Sequence, residues 1–336
     1  MIPYNTIKTS DTNDFYDMFY ISDDDIEQLK IITDLNDGQD ALDTFIEDYI
    51  KPASEKYKAI IMEYLNEIYV GPMQWKDTNN LTRNISLLTL GLSTFLIHQF
   101  NKYTKTVYAP GMFKNNGITD SELQRNVIRE ITSEFEKLIG STLSQTQGFL
   151  VNGIRTLQRE MIAENLLLKK SGISGTALEK EIIKFKESLK NKYPEMYEAA
   201  KHGKLLTTAK FIDGREVVRR YELNYYLDLT TRTTLLNADR ISNVVAALID
   251  DEDVVEYYLS DPRSVVKDRE ICQHILNTKV NGLSILALNE EAAKRYGIMS
   301  VDEAQATPDY AMGPYCRHSL RRCSQEYLKE LHNASD

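Results

Sequence analysis

Two short tripeptides in the last quarter of the chain carry residue types that can bind metal, Cys272-Gln273-His274 and Cys316-Arg317-His318. Thiolate and imidazole are the usual zinc ligands, and four of them close a tetrahedral structural site. The set Cys272, His274, Cys316 and His318 is therefore a candidate structural zinc site, with Cys323 as a substitute ligand. Three cysteines in a chain of 336 residues are an odd and small number that argues against a disulfide framework. The spacing is tighter than structural zinc motifs prefer. The competing reading makes Cys272 a buried apolar thiol and His318 a hydrogen-bonded core histidine.

Other candidates are single residues or charge clusters. Arg232 lies in Thr230-Thr231-Arg232-Thr233-Thr234. It reads as an anchor for a carboxylate or phosphate, or as half of an internal ion pair with Asp228 or Asp261. Arg317, Arg321 and Arg322, with Lys201, Lys204, Lys210, Arg215, Arg219 and Arg220, could form a basic face touching a DNA backbone; the alternative is a solvated surface. Asp250-Asp251-Glu252-Asp253 could hold a cation, and equally reads as an exposed helix end. The sequence has no Gly-rich phosphate loop, no Gly-x-Ser-x-Gly elbow and no His-Glu-x-x-His pair. Cys272 and His274 are two residues apart, so on a helix they would not face each other as nucleophile and base. The expectation is that the protein is not an enzyme.

The elements that must position these residues divide near residue 200. The first 21 residues read as a flexible tail with a sticky stretch, Phe15, Tyr16, Phe19, Tyr20 and Ile21. Ser22 to Asp48 is strongly acidic, with Lys30 its only base, and reads as a solvated arm or as one that docks on a basic partner. A helix is predicted from Ser22, then a long one from about Asp40 to Tyr69, kinked or broken at Pro52 and ended by Gly71-Pro72. A second long helix from about Leu81 to Val107 is apolar nearly all round and must be buried on several sides; Ala109-Pro110-Gly111 is expected to end it. Thr119-Asp120-Ser121-Glu122 reads as a capping box for a helix with Leu123, Val127, Ile131, Phe135 and Leu138 on one face. Gly140 and Gly148 are expected to punctuate the chain beyond Leu138. Helices are then predicted from about Phe149 to Lys170 and, after the break at Ser171–Gly175, from about Thr176 to Lys192.

Residues 22–200 thus read as a helical bundle, and residues 201–336 as a smaller mixed domain, so the fold class is α+β. Leu205 to Ile212 and the return from Val217 frame a hairpin around Asp213-Gly214. A helix comes next, from about Asn224 to Leu248, with Tyr225, Leu229 and Leu236 on one side. Val254 to Leu259 is a strand, and loops lead to a short final helix after Arg322. The net charge of −10 makes the chain a poor general coat for DNA, so any contact with nucleic acid must be local. The opening residues lack a secretory signal, and the longest apolar stretch, Ile85 to Ile97, is too short to span a bilayer. A soluble protein made in a cytoplasm is expected, with no membrane partner.

Taken together, the residues from Lys204 to Arg322 resemble the minor capsid, or head morphogenesis, proteins of tailed phages, which include the Mu-type minor head proteins. The resemblance rests on Phe211-Ile212-Asp213-Gly214-Arg215 and on the tyrosine-led helix from Tyr221 to Thr234, with its pair Arg232-Thr233. It continues through a strand like Val254 to Ser260, a cysteine-bearing loop at Cys272, Gly282, Gly313-Pro314, and the closing Cys316-Arg317-His318-Ser319-Leu320. The family often carries Cys-x-x-Cys in the first loop, where this chain has Ile275. The resemblance implies a low-copy structural virion protein of the phage head or neck, made in the bacterial host cytoplasm. Its implied partners are a portal or major capsid protein and packaged DNA, in several copies within a symmetric assembly. It would assist head assembly, DNA packaging or DNA delivery. The alternatives are a nuclease or transferase carried on the C-terminal domain, with Arg232, His274 and His318 in one pocket, and a DNA-binding adaptor.

Overall fold

In a computed structural model the described residues are 38–69, 78–212, 215–259, 270–306, 311 and 318–333. The expected tail, most of the acidic arm, the Asp213-Gly214 turn, Asp261, the Gly71-Pro72 stop and the Gly313 to Arg317 stretch lie outside them. The fold is α+β, as expected: helices up to residue 202, then a hairpin, a long helix and a small antiparallel sheet with short helices. The chain forms two compact units. One holds Asp43–Asn101 and Glu136–Asp228. The other holds Lys102–Phe135 and Leu229–Asp336, with a stretch ending at Leu42. The boundary expected near residue 200 does not coincide with this division, because each unit gathers separated stretches of chain.

Helix α1 (Gly38–Phe45) passes through a π-helical turn, Ile46–Ile50, into α2 (Lys51–Tyr69). The kink expected at Pro52 takes this form. Proline has no N–H and its ring crowds the carbonyl four residues back, so the backbone widens before it. The Lys51 N–H accordingly bonds the Ile46 carbonyl, five residues away.

The same device recurs in α3 (Thr78–Tyr103). There the turn Thr104–Tyr108 precedes Pro110, and the Ala109 N–H bonds the Thr104 carbonyl. The stop expected at Ala109-Pro110-Gly111 is therefore corrected: Pro110 sits in the first turn of α4 (Ala109–Asn115), where its missing N–H costs nothing.

Asp120 is the real cap of α5 (Ser121–Lys170), its carboxylate accepting the Leu123 N–H at 2.7 Å. Gly140 and Gly148 do not interrupt this 50-residue helix. A helical glycine costs only about 1 kcal/mol, and Ile139, Leu143, Thr146 and Leu150 around them are buried. After a Gly172 turn, α6 (Gly175–Lys192) folds back, and Lys192 and the Tyr193 hydroxyl both bond Glu160 on α5. The short α7 (Pro194–His202) crosses α5 closely; a Cβ at Gly153 would lie 2.0 Å from the Met196 sulfur.

The expected hairpin forms from β1 (Leu206–Ile212) and β2 (Arg215–Tyr221), with Ile212 opposite Arg215, so the return strand starts two residues before the expected Val217. It leads into α8 (Leu223–Ile249). The face of α8 that is buried is not the one through Tyr225, which is half exposed. It runs through Leu227, Thr231, Thr234, Ala238, Ser242 and Ala246. Small and hydroxyl-bearing side chains there let neighbouring elements approach closely.

The second unit contains a sheet of which the sequence pattern predicts only the strand Val254–Leu259. Its order is β4 (Lys279–Val280), β5 (Leu283–Ala287), β3 (Val254–Leu259), β6 (His318–Arg322). On one face, Val255, Tyr257, Leu286 and Leu320 pack with Ala247 of α8, with Cys272 and Ile275 of α9 (Glu270–Asn277), and with Val301 and Ala304 of α11 (Val301–Ala306). In a second core, Val254, Ile285 and Ala287 pack with Ala292 of α10 (Glu290–Tyr296), with Cys323, and with Tyr327, Leu328 and Leu331 of α12 (Gln325–Asn333).

Candidate functional site

The closing motif folds as β6, the last strand of the sheet, so among the described residues one of its edges has no strand beside it. An edge carbonyl needs another donor. Arg240, only 3% exposed on α8, supplies it: Nε and Nη2 donate to the His318 carbonyl at 3.1 and 2.5 Å, while Nη1 bonds Asn237. The next strand residue, Ser319, donates to the carboxylate of Asp239 at 3.1 Å. Burial holds the Asp239 carboxyl above the ordinary carboxylate range; Ser319, Arg240 and Asn116 pull it partly back. Burial and the neighbouring Asp239 likewise keep the Tyr108 phenol well above its usual value.

The far end of β6 carries the two arginines expected to touch DNA. Arg321 makes a bidentate pair with Glu256 on β3, both bonds 2.8 Å, and lies 4.7 Å over the Tyr258 ring. Arg322 bonds Glu252, whose side chain is 3% exposed, and Asp250 at 2.5 Å. Their charges are matched internally, because an arginine fork satisfies a carboxylate better than water does in a half-buried site. Of the Asp250–Asp253 cluster, Asp253 is also engaged, meeting Arg295 at 3.2 Å and His332 at 3.7 Å, while Asp251 is exposed. Arg317 lies outside the described residues.

The expected zinc ligands do not converge among the described residues. Cys272 is buried in the core beside Tyr257, on whose ring His318 stacks at 5.0 Å. His274, two residues along α9, is exposed. Cys323 sits in the other core, its thiol pushed up to about 12 by burial and by Glu256 and Glu252. Among the described residues no three histidine, cysteine or acidic side chains are grouped to hold a metal, and Cys316 lies outside them. Arg232 and Asp228, both half-buried, stand one turn apart on α8.

Sequence reasoning missed the partly buried Asp239 and the buried Arg240, and singled out the buried Glu252 only as part of a candidate cation cluster. The adjacency of Asp239 and Arg240 in a helix whose other charged residues are Asp228 and Arg232 was the available signal. The arrangement defines an edge strand strapped to a long helix by buried charge. No protein-family model, curated protein or solved structure matches the chain. No helix among the described residues is long and apolar enough to cross a membrane.

Proposed function

We propose that the chain is a structural protein of a tailed-phage head, at or near the portal, that assists head assembly, DNA packaging or DNA delivery without catalysing a reaction. One observation carries the reading: the segments resembling the phage minor head family succeed one another in order from residue 204 to 322. Several of them meet in one unit, where the closing His318-Ser319-Leu320 pairs with Leu259, Tyr258 and Tyr257 of β3. Several of the groups that could do chemistry have structural partners, which supports this reading. Arg321 and Arg322 hold carboxylates, His318 stacks in the core and His274 faces outward. An internally neutralised unit together with a long helical one suits docking to other virion proteins. The direct test is quantitative mass spectrometry of purified particles of the encoding phage, with infectivity after deletion. Stoichiometric incorporation and lost infectivity are expected; no copies in the particles would sink the proposal.

A further inference from the structure

We propose that the fold singles out Asn281 as a site of spontaneous deamidation, its side-chain amide closing on the Gly282 backbone nitrogen and leaving an aspartate or isoaspartate at the tip of the β4–β5 turn. The inference goes beyond the proposed role in a particle and does not depend on it.

The reaction sets three conditions on an Asn-Gly pair. The glycine nitrogen must reach the asparagine Cγ, which the missing Cβ of glycine eases. The glycine N–H must be free to give up its proton. The pair must be wet, because a solvent base takes that proton and water completes the reaction. The chain has three Asn-Gly pairs, at Asn116, Asn152 and Asn281, and their surroundings differ.

Asn152-Gly153 lies in the interior of α5, where the Gly153 N–H is spent on the helix ladder. Reaction there requires the middle of a 50-residue helix to open. Asn116-Gly117 ends α4. Asn116 is only 8% exposed, its side chain lies against Asp239, and the Gly117 N–H bonds the Lys114 carbonyl at 3.4 Å. Asn281-Gly282 differs on each count. Both residues are exposed. Among the described residues neither the Asn281 side chain nor the Gly282 N–H has a hydrogen-bond partner. A Cβ built on Gly282 would meet nothing within 4 Å, so there is room for the ring that forms. The left-handed backbone of the pair, φ 46° and 89°, must relax before the nitrogen reaches Cγ. Strand β4 has only two residues, with Val280 opposite Leu283, so this opening involves the turn tip alone.

The chemistry balances with water as the only co-reactant. Solvent base removes the Gly282 amide proton, and the nitrogen attacks the Asn281 Cγ. The bond from Cγ to the side-chain nitrogen breaks, and that nitrogen takes a proton from water and leaves as ammonia. Water then adds to one carbonyl of the five-membered imide and breaks its bond to the Gly282 nitrogen. Opening at the side-chain carbonyl gives aspartate. Opening at the main-chain carbonyl gives isoaspartate, whose backbone runs through Cγ and is one carbon longer. Either product exchanges a neutral amide for a carboxylate. The change falls next to Val280, whose carbonyl accepts the Tyr327 hydroxyl at 2.7 Å. It also precedes Ile285 and Leu286 of β5, which pack into the two cores of the unit.

The test follows purified full-length chain, folded, over weeks in mildly alkaline buffer at body temperature. Peptide mapping by mass spectrometry locates the change, and an isoaspartyl methyltransferase assay detects the longer backbone. Asn281 should gain about 1 Da, the exchange of an amide for an acid. Its rate should rise with pH and exceed those of Asn116 and Asn152 by at least about tenfold, because they react only after local opening. The chain unfolded in guanidinium should convert all three at similar rates. An Asn281→Gln variant with an unchanged circular dichroism spectrum should show no conversion at that position. The proposal is overturned if Asn281 stays intact in the folded chain while the unfolded chain converts. It is overturned equally if Asn116 or Asn152 keeps pace in the folded chain, or if the preference for Asn281 persists unchanged on unfolding.

Discussion

The helices of the first unit and the sheet of the second bury polar groups in opposite ways. In the first unit the buried polar groups include hydroxyls that bond backbone their own helix already supplies: Thr89 donates to the Ile85 carbonyl at 2.7 Å and meets the Tyr57 hydroxyl at 2.8 Å. Its ion pairs, such as Lys192 with Glu160, stay at the surface, although Lys186 is buried and its pKa is lowered by that burial. In the second unit Arg240 and Glu252 are buried and Asp239 is partly buried, its carboxyl pKa raised chiefly by burial. A helix satisfies its own backbone, whereas an edge strand leaves carbonyls unpaired, and the second unit meets that need with side-chain charge. The two units should therefore fail differently, the first by cavities and the second by orphaned charges.

The contrast breaks first at Arg240. Arg240→Met keeps the volume but removes both donors from the His318 carbonyl and leaves Asp239 without its cation. Breaking one side of a buried ionic set costs about 3–5 kcal/mol, read as a lower urea midpoint. A loss under about 1 kcal/mol would show that the strap is ornamental. The matching experiment in the first unit is Phe95→Ala, at a side chain with no exposure. Transfer and cavity terms together predict a loss of about 3–5 kcal/mol. The smaller truncation Phe95→Leu should recover most of it, and no conservative change at Arg240 should do so.

The difference between the regions also explains what the sequence made legible. The long helices, the Asp213-Gly214 hairpin and strand Val254–Leu259 were readable because periodicity and turn chemistry are local. Gly140 and Gly148 misled because the packing of a 50-residue helix outweighs a local cost of about 1 kcal/mol each. Strand β5 was missed although Asn281-Gly282, both at positive φ (46° and 89°), carries the two-residue hairpin signal. Only two residues of β4 precede it, too few to show alternation. The candidate site was half legible. Cys272 and His318 do fall around Tyr257, but as core residues. The acids that claim Arg321 and Arg322 lie some 65 to 70 positions earlier, beyond any local pattern.

Asp239 sharpens the comparison through pH. Its carboxyl pKa is raised in the folded chain, so the folded state holds a proton more readily than the unfolded one. The stabilisation this gives is full below the ordinary carboxylate pKa of about 4 and is lost as pH rises through the raised value. Asp239→Asn mimics the protonated form and still accepts from Ser319. The difference in melting temperature between variant and wild type should move in favour of the variant as pH rises from about 4 towards neutrality. Glu160, lowered chiefly by its bond to Lys192, has the opposite sign: its contribution is present at neutral pH and lost as pH falls through its depressed value. A gap of constant size from about pH 4 to 8 would mean that Asp239 does not titrate with folding.

The smallest effect expected is at Tyr57→Phe in the first unit. The ring is fully buried, and burial raises its phenol far above the usual range despite the bond to Thr89. Removing the hydroxyl deletes one neutral hydrogen bond, while Thr89 keeps its bond to the Ile85 carbonyl and so is not orphaned. The loss should be about 1 kcal/mol, the net worth of a neutral bond with no buried group stranded. Thr89→Val in the Tyr57→Phe background should then cost little more, since both polar partners have gone. If instead Tyr57→Phe costs as much as Arg240→Met, the helical unit leans on its buried polar groups as heavily as the sheet does. The proposed division between cavity failure and charge failure would then be wrong.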